Sequence, residues 1–180
     1  MIPVETLCSR LLQIPHIRDA ATLADEQSDV VTVVLVRQGY RPGPVLRDLV
    51  MRAGESTGDD LVVAIVDAIP RHDHGAVDEA AARALVADGA FVFPYEAPVT
   101  ETEKILAAVL HELIPSVRVS MTDDLVSIGG DSLMAVEIVG ILSERLGVEM
   151  DPSQLFETES FREMAAVIAR TRTNSSGWRN

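Results

Sequence analysis

The residues best suited to chemistry stand in one run, Ser127-Ile128-Gly129-Gly130-Asp131-Ser132-Leu133-Met134-Ala135. Two adjacent glycines permit backbone angles closed to other residues, so the chain can turn sharply into a following helix. Ser132 then falls in the first helical turn, where unpaired N–H groups and the positive end of the helix dipole favour a phosphate. A phosphodiester on its hydroxyl would be held there without a basic side chain. A serine at this place can also do no more than cap the helix. The helix weakens that alternative. At about 100° per residue, Ala135, Ile138, Val139, Leu142 and Leu146 form a core stripe. Leu133 lies on the far side beside Glu137 and Glu144, flanked by Met134 and Val136. Apolar residues ringed by charge next to an exposed serine read as a docking surface, made of Asp131, Leu133, Met134, Val136 and Glu137.

Other candidate groups offer less. His72, Asp73 and His74 include metal-ligating types, but i and i+2 positions in a turn point different ways and no further histidine or cysteine completes a set; no metal site is expected. Cys8 is the only cysteine, which rules out an internal disulfide. It sits among leucines with no catalytic base nearby in sequence and reads as packing. His111 falls opposite the apolar side of its helix and reads as solvent-facing.

These side chains need elements to hold them. Before residue 89 helices and strands alternate: a helix over 4–14, a weak strand at 20–23, a valine-rich strand at 30–37, a helix over 45–51, a strand at 61–66 and an alanine-rich helix over 77–87. The order implies an α+β small sandwich with one helical layer on a short sheet. Residues 89–98 carry Pro94 and Pro98 and read as a linker. Beyond them the pattern is all helix: 100–113, opened by Thr100 with Glu103 as a capping box, then 132–146, a short turn at 152–156, and 161–170 capped by Ser160. The tail from 172 to 180 is polar and is expected to be flexible. The expected division is 1–88, 89–98, 99–171 and 172–180.

The net charge is −13, from 28 acidic and 15 basic residues. Residues 1–98 hold 15 acids and 8 bases, a charge of −7; residues 99–180 hold 13 and 7, a charge of −6. There is no basic stripe of the kind nucleic acids require. The longest strongly apolar run, 30–36, is too short to span a membrane, and the N-terminus has no signal-peptide pattern. A cytoplasmic protein is expected; the acidity suits partners with basic faces, but charge alone favours the simpler reading that it keeps the protein soluble.

The second half resembles the carrier proteins of nonribosomal peptide and polyketide assembly lines. Gly129-Gly130-Asp131-Ser132-Leu133 matches their modification motif, and Asp151-Pro152 through Phe156 with Ser160-Phe161 matches the short third helix and the start of the fourth. The resemblance implies an all-α four-helix carrier bundle, with 4′-phosphopantetheine moved from coenzyme A to Ser132 by a phosphopantetheinyl transferase. The arm's thiol would carry an acyl or aminoacyl thioester between enzymes, as in antibiotic biosynthesis. A separate adenylating or acyl-transferring enzyme would load it, and condensation, tailoring or release enzymes would follow. The double glycine resembles a peptidyl carrier and Leu133-Met134-Ala135-Val136-Glu137 a polyketide acyl carrier, so the type stays open.

The first half resembles the C-terminal subdomain of the AMP-forming adenylation family. Residues 4–21 are similar to its opening helix and first strand, and Ala68-Ile69-Pro70-Arg71-His72-Asp73-His74-Gly75-Ala76-Val77-Asp78 to its final signature. Ala76 stands where that signature has a lysine contacting the acyl phosphate, and a methyl group cannot stabilise that charge. No ATP-binding core or glycine-rich phosphate loop lies within the sequence. The expectation is a non-catalytic carrier fused to an adenylation-like scaffold; the alternative is the C-terminal part of an active adenylation–carrier enzyme, or a complement to a separate core.

Overall fold

A computed structural model describes residues 2–25 and 28–176, which fall into two units, Met1–Tyr95 and Glu96–Asn180. The first contains α1 (Val4–Leu11), β1 (Ile17–Asp25), β2 (Ser28–Arg37), α2 (Gly43–Gly54), β3 (Leu61–Ile65), α3 (Glu79–Gly89) and β4 (Phe91–Pro94). The four strands form one sheet in the order β1-β2-β3-β4. β1 and β2 are antiparallel, β2 and β3 parallel across the α2 crossover, and β3 and β4 antiparallel.

The valines of β2 explain the layering. Val33 and Leu35 pack with Leu7, Leu11, Leu46 and Val50 of α1 and α2. Val34 and Val36 turn the other way, onto Leu23, Ile69 and Ala82 of α3. A strand buried on both faces reads as a continuous apolar run. The single helical layer expected from sequence is therefore corrected to helices on both faces; α3 meets the sheet through the buried Ala82 with Val86 beside it, and gives little apolar signal of its own.

The expected linker is also corrected. α3 runs through Gly89, and Phe91–Pro94 is a strand paired with β3, from Ile65↔Phe91 to Val62↔Pro94. As an edge strand it tolerates a proline. The strand is pinned by side chains. The Phe93 ring lies where a Cβ on Gly43 would sit, 1.9 Å from its Cζ, and the Tyr95 ring similarly excludes a Cβ on Gly58 at 2.3 Å. The buried Arg47 donates to the Pro94 carbonyl at 3.1 Å and lies over the Tyr95 ring at 5.8 Å.

The second unit contains α4 (Glu101–Leu113), α5 (Ser132–Leu146), α6 (Gln154–Glu157) and α7 (Phe161–Ser176). Leu106, Leu110, Met121, Leu125, Ile138, Leu142, Leu155, Phe161 and Ile168 are part of its core. The capping box is present: Thr100 Oγ1 accepts from Glu103 N, and Glu103 Oε2 accepts from Thr100 N. Helix α7 continues past residue 170 to Ser176, so residues 172–176 are helical rather than a tail. The rest of the expected tail lies outside the described residues.

Glu96 belongs wholly to this unit. Its N–H donates to Ser120 Oγ, its carbonyl accepts from Met121 N, and its carboxylate pairs with Arg162. Arg162 also reaches Glu103 Oε1 at 3.2 Å. The amide of Thr100, then that of Val99 and the Arg162 guanidinium, hold the Glu103 carboxyl below its ordinary range against the opposing effect of burial.

Candidate functional site

The 114–131 segment has no helix or strand, yet it is tightly held. Val119, Met121, Leu125 and Ile128 bury their side chains in the core. The Asp123 carboxylate accepts from Ser120 N, and the Asp123 carbonyl from Phe161 N at 2.7 Å. Asp124 and Ser127 then wind a turn by exchanging bonds, Ser127 N to Asp124 Oδ1 and Ser127 Oγ to the Asp124 carbonyl. This fixes the path into the two glycines.

Each glycine has a separate reason to be there. Gly129 has φ +85°, in the left-handed region that favours glycine. Gly130 donates to the Leu125 carbonyl at 2.8 Å. A Cβ on it would lie 2.3 Å from Leu125 Cδ1 and 2.7 Å from the Leu125 oxygen. The chain then enters α5 through Asp131, whose extended backbone and side chain form the N-cap, Oδ1 accepting from Met134 N at 2.9 Å.

That cap decides how Ser132 is used. Because Asp131 does the capping, the Ser132 hydroxyl is spare, exposed on the first residue of α5. The N–H groups of Ser132 and Leu133 have no hydrogen-bond partner among the described residues. A free hydroxyl beside two free donors at a helix N-terminus fits a phosphodiester. Sequence reasoning placed Asp131 on the docking surface and missed its cap. The signal was its position directly before the apolar-periodic segment.

The proposed docking residues divide. Leu133 is 67% exposed and Val136 55% exposed, with Glu137 also in solvent. Met134 is half-buried and packs against the core. Val126 before the glycines and Phe156 in α6 are also exposed apolar side chains, an exposure not expected from sequence. Neither belongs to a periodic stripe that would betray it.

Residues 103–168 match the family described as the phosphopantetheine attachment site. This segment is a phosphopantetheine carrier domain. The cofactor it implies is covalently attached 4′-phosphopantetheine. The chain is 30% identical over 175 residues to a linear gramicidin synthase of Brevibacillus parabrevis, across 92% of this chain and 3% of that protein. It is 30% identical over 112 residues to bacitracin synthase 1 of Bacillus licheniformis, across 62% of this chain and 2% of that protein. Among solved structures, a holo four-domain nonribosomal peptide synthetase bound to AMP and glycine aligns with 94% of this chain and 13% of its own, at 21% identity and a TM-score of 0.42. The carrier domain is of the kind found in nonribosomal peptide synthetases, and the similarity to the gramicidin synthase extends through the unit that precedes it. The chain spans only a few per cent of the length of these two synthases.

In that preceding unit, Ala76 lies in a hairpin closed by an Arg71↔Val77 bridge and by His72 N donating to the Ala76 carbonyl at 2.8 Å. Gly75 turns the tip at φ +88°. Arg71 anchors the hairpin to Asp19 at 2.8 Å, and the exposed His72 and His74 rings stack at 5.3 Å. No group of three or more metal-ligating side chains occurs among the described residues. Cys8 is half-buried with Sγ 3.8 Å from Thr22 Oγ1, and His111 is exposed in the last turn of α4. No helix of the described residues is long and apolar enough to cross a membrane.

Proposed function

We propose that Ser132 is the attachment residue and that this chain acts as a non-catalytic carrier in a natural-product assembly line, working in the cytoplasm. The observation that carries the reading is the division of labour at α5, where Asp131 caps and leaves the Ser132 hydroxyl exposed and without structural duty. The four helices α4 to α7 make up the carrier bundle. Once attached, the arm supplies a thiol that holds an acyl or aminoacyl group as a thioester. The residues of this chain present and orient it: the Ser132 and Leu133 amides face the phosphate, and Gly129 and Gly130 fix the entry. Leu133 and Val136, with Asp131 and Glu137 beside them, offer partner enzymes an aliphatic patch edged by carboxylates. Those partners are a phosphopantetheinyl transferase, a separate loading enzyme, and condensation, tailoring or release enzymes.

The adenylation-like unit serves as scaffold. Its hairpin keeps the turn and the strand bridge, while Ala76 offers no cation to an acyl phosphate. A second reading rests on the alignment that runs through both units of a much longer synthase: the chain belongs to, or complements, a larger adenylating assembly. Amino-acid-dependent pyrophosphate exchange, with and without a separate adenylation core, separates the two, since robust exchange supports the second. The carrier reading is tested by intact mass after incubation with coenzyme A and a promiscuous transferase. A single added arm is expected, and none on Ser132→Ala.

A further inference from the structure

The first unit holds three arginines with no acid to pair with among the described residues. Arg10, Arg52, Arg71 and Arg83 each meet a carboxylate, from Glu55, Asp48, Asp19 and Glu79 respectively. Arg47 is buried against Tyr95. Arg18, Arg37 and Arg41 have no carboxylate within ion-pair distance among the described residues. In a unit with about twice as many acids as bases, such arginines would be expected to scatter and pair. Instead they collect where β1 begins and β2 ends, because the register sets Ile17 opposite Arg37 and bonds Gln38 N to the His16 carbonyl.

Their guanidinium groups are held in place. Arg18 donates to the Asp67 carbonyl at 3.1 Å, and the Arg41 guanidinium lies 2.9 Å from His16 Nε2. Arg37 lies over the Tyr40 ring at 5.6 Å. Tyr40 is 80% exposed on a turn made by Gly39 at φ +73°. A guanidinium has five N–H donors, of which a single acceptor uses only a fraction, so each keeps donors facing outward. The Asp19 carboxylate is already taken by Arg71; Asp67 is the acid that shares this end of the sheet.

We propose that His16, Arg18, Arg37, Tyr40 and Arg41 form a docking surface for a separate protein that presents a carboxylate-rich surface. Arginine and tyrosine are the residue types enriched at the energetic centres of protein interfaces. Stacking and hydrogen bonds restrain these side chains before binding, which lowers the entropy lost on contact. The acidic remainder of the chain repels such a partner everywhere else, so charge gives the encounter its orientation. The same net charge opposes a nucleic acid, which needs a continuous basic track. This surface is independent of the role of Ser132.

The test titrates the full chain with a synthetic amphipathic helical peptide built from glutamate and leucine, against a control with glutamine for glutamate. Binding is read by calorimetry and by backbone amide shifts. The expected result is shifts confined to residues 16–18 and 37–42, affinity falling as salt rises from about 50 to about 300 mM, and no binding of the glutamine control. The triple variant R18Q/R37Q/R41Q should weaken binding about tenfold or more, and Tyr40→Ala several-fold. All four positions are exposed, and unchanged melting of the variants confirms that they fold. Equal binding by the triple variant, shifts on residues 96–176, or binding of the control would overturn the proposal. So would inorganic phosphate giving the same shifts while the peptide gives none, which assigns the patch to small anions. Dimerisation without peptide that the triple variant abolishes would make a second copy the occupant, and sinks the proposal too.

Discussion

The hairpin at 71–77 and the loop before α5 are assembled from similar parts. Each turns on a glycine at positive φ, Gly75 at +88° and Gly129 at +85°. Each then feeds a helix through an aspartate N-cap, Asp78 accepting from Ala81 N and Asp131 from Met134 N. They differ in what the frame presents. One shows solvent the methyl group of Ala76; the other shows it the hydroxyl of Ser132. One backbone device can therefore carry different displayed groups, because caps and turns stabilise the fold regardless of the side chain shown to solvent. Retained geometry is evidence of folding, and only the displayed group is evidence of function.

The contrast breaks most sharply at Ser132. Ser132→Ala should drop transferase-dependent mass gain to background while leaving the melting temperature nearly unchanged, since the serine does no capping. If the variant still gains an arm, the two frames are equally empty. Gly130→Ala should follow in size, destabilising the carrier by about 1–3 kcal/mol through collision with Leu125. Gly75→Ala, with open space around it, should cost only the strain of its angle, about 1 kcal/mol. Urea unfolding of the two variants measures the difference. Removing the caps should equalise the frames: Asp131→Ala and Asp78→Ala should each cost about 1 kcal/mol.

The carrier unit should also respond to acid through Glu103. Glu103 titrates below its ordinary 4.5 when folded, so it contributes stability above that value and loses it as pH falls through the lowered one. Glu103→Gln should flatten the acid side of the stability profile, measured by denaturant unfolding between about pH 6 and pH 3; an unchanged slope would refute the assignment. The smallest effect is expected from Ala76→Lys, within about 0.5 kcal/mol in stability because the site is exposed. Pyrophosphate exchange should stay at background in that variant without a separate core. Exchange by the variant alone would mean that a single side chain separates the two frames.

Local signals carried much of this into view from sequence. The valines of β2, the Thr100–Glu103 box and the Ala135–Ile138–Leu142 stripe each announce their element within a few residues. What stayed hidden depends on distant partners. Pro94 reads as a linker residue because nothing nearby shows Val62 waiting to pair with its strand. Ala82 reads as a helix former, and its place beneath Val34 and Val36 appears only once the sheet exists. The separation of Arg18, Arg37 and Arg41 from the described acids is likewise a property of the folded unit. The start of α5 at Ser132 was legible because the double glycine directly precedes the apolar-periodic segment, whereas the capping role of Asp131 needed the backbone geometry.

The pinning of β4 changes where this chain can be cut. Prolines invite a recombination boundary between residues 89 and 98, yet Phe93 fills the space above Gly43 and Tyr95 that above Gly58. A first half ended at Asp88 would expose β3 as a raw edge and leave the buried Arg47 facing water. A carrier begun at Val99 would lose Glu96, and with it a tie to Ser120 and a partner of Arg162. The seam for exchanging carriers is the single peptide bond between Tyr95 and Glu96.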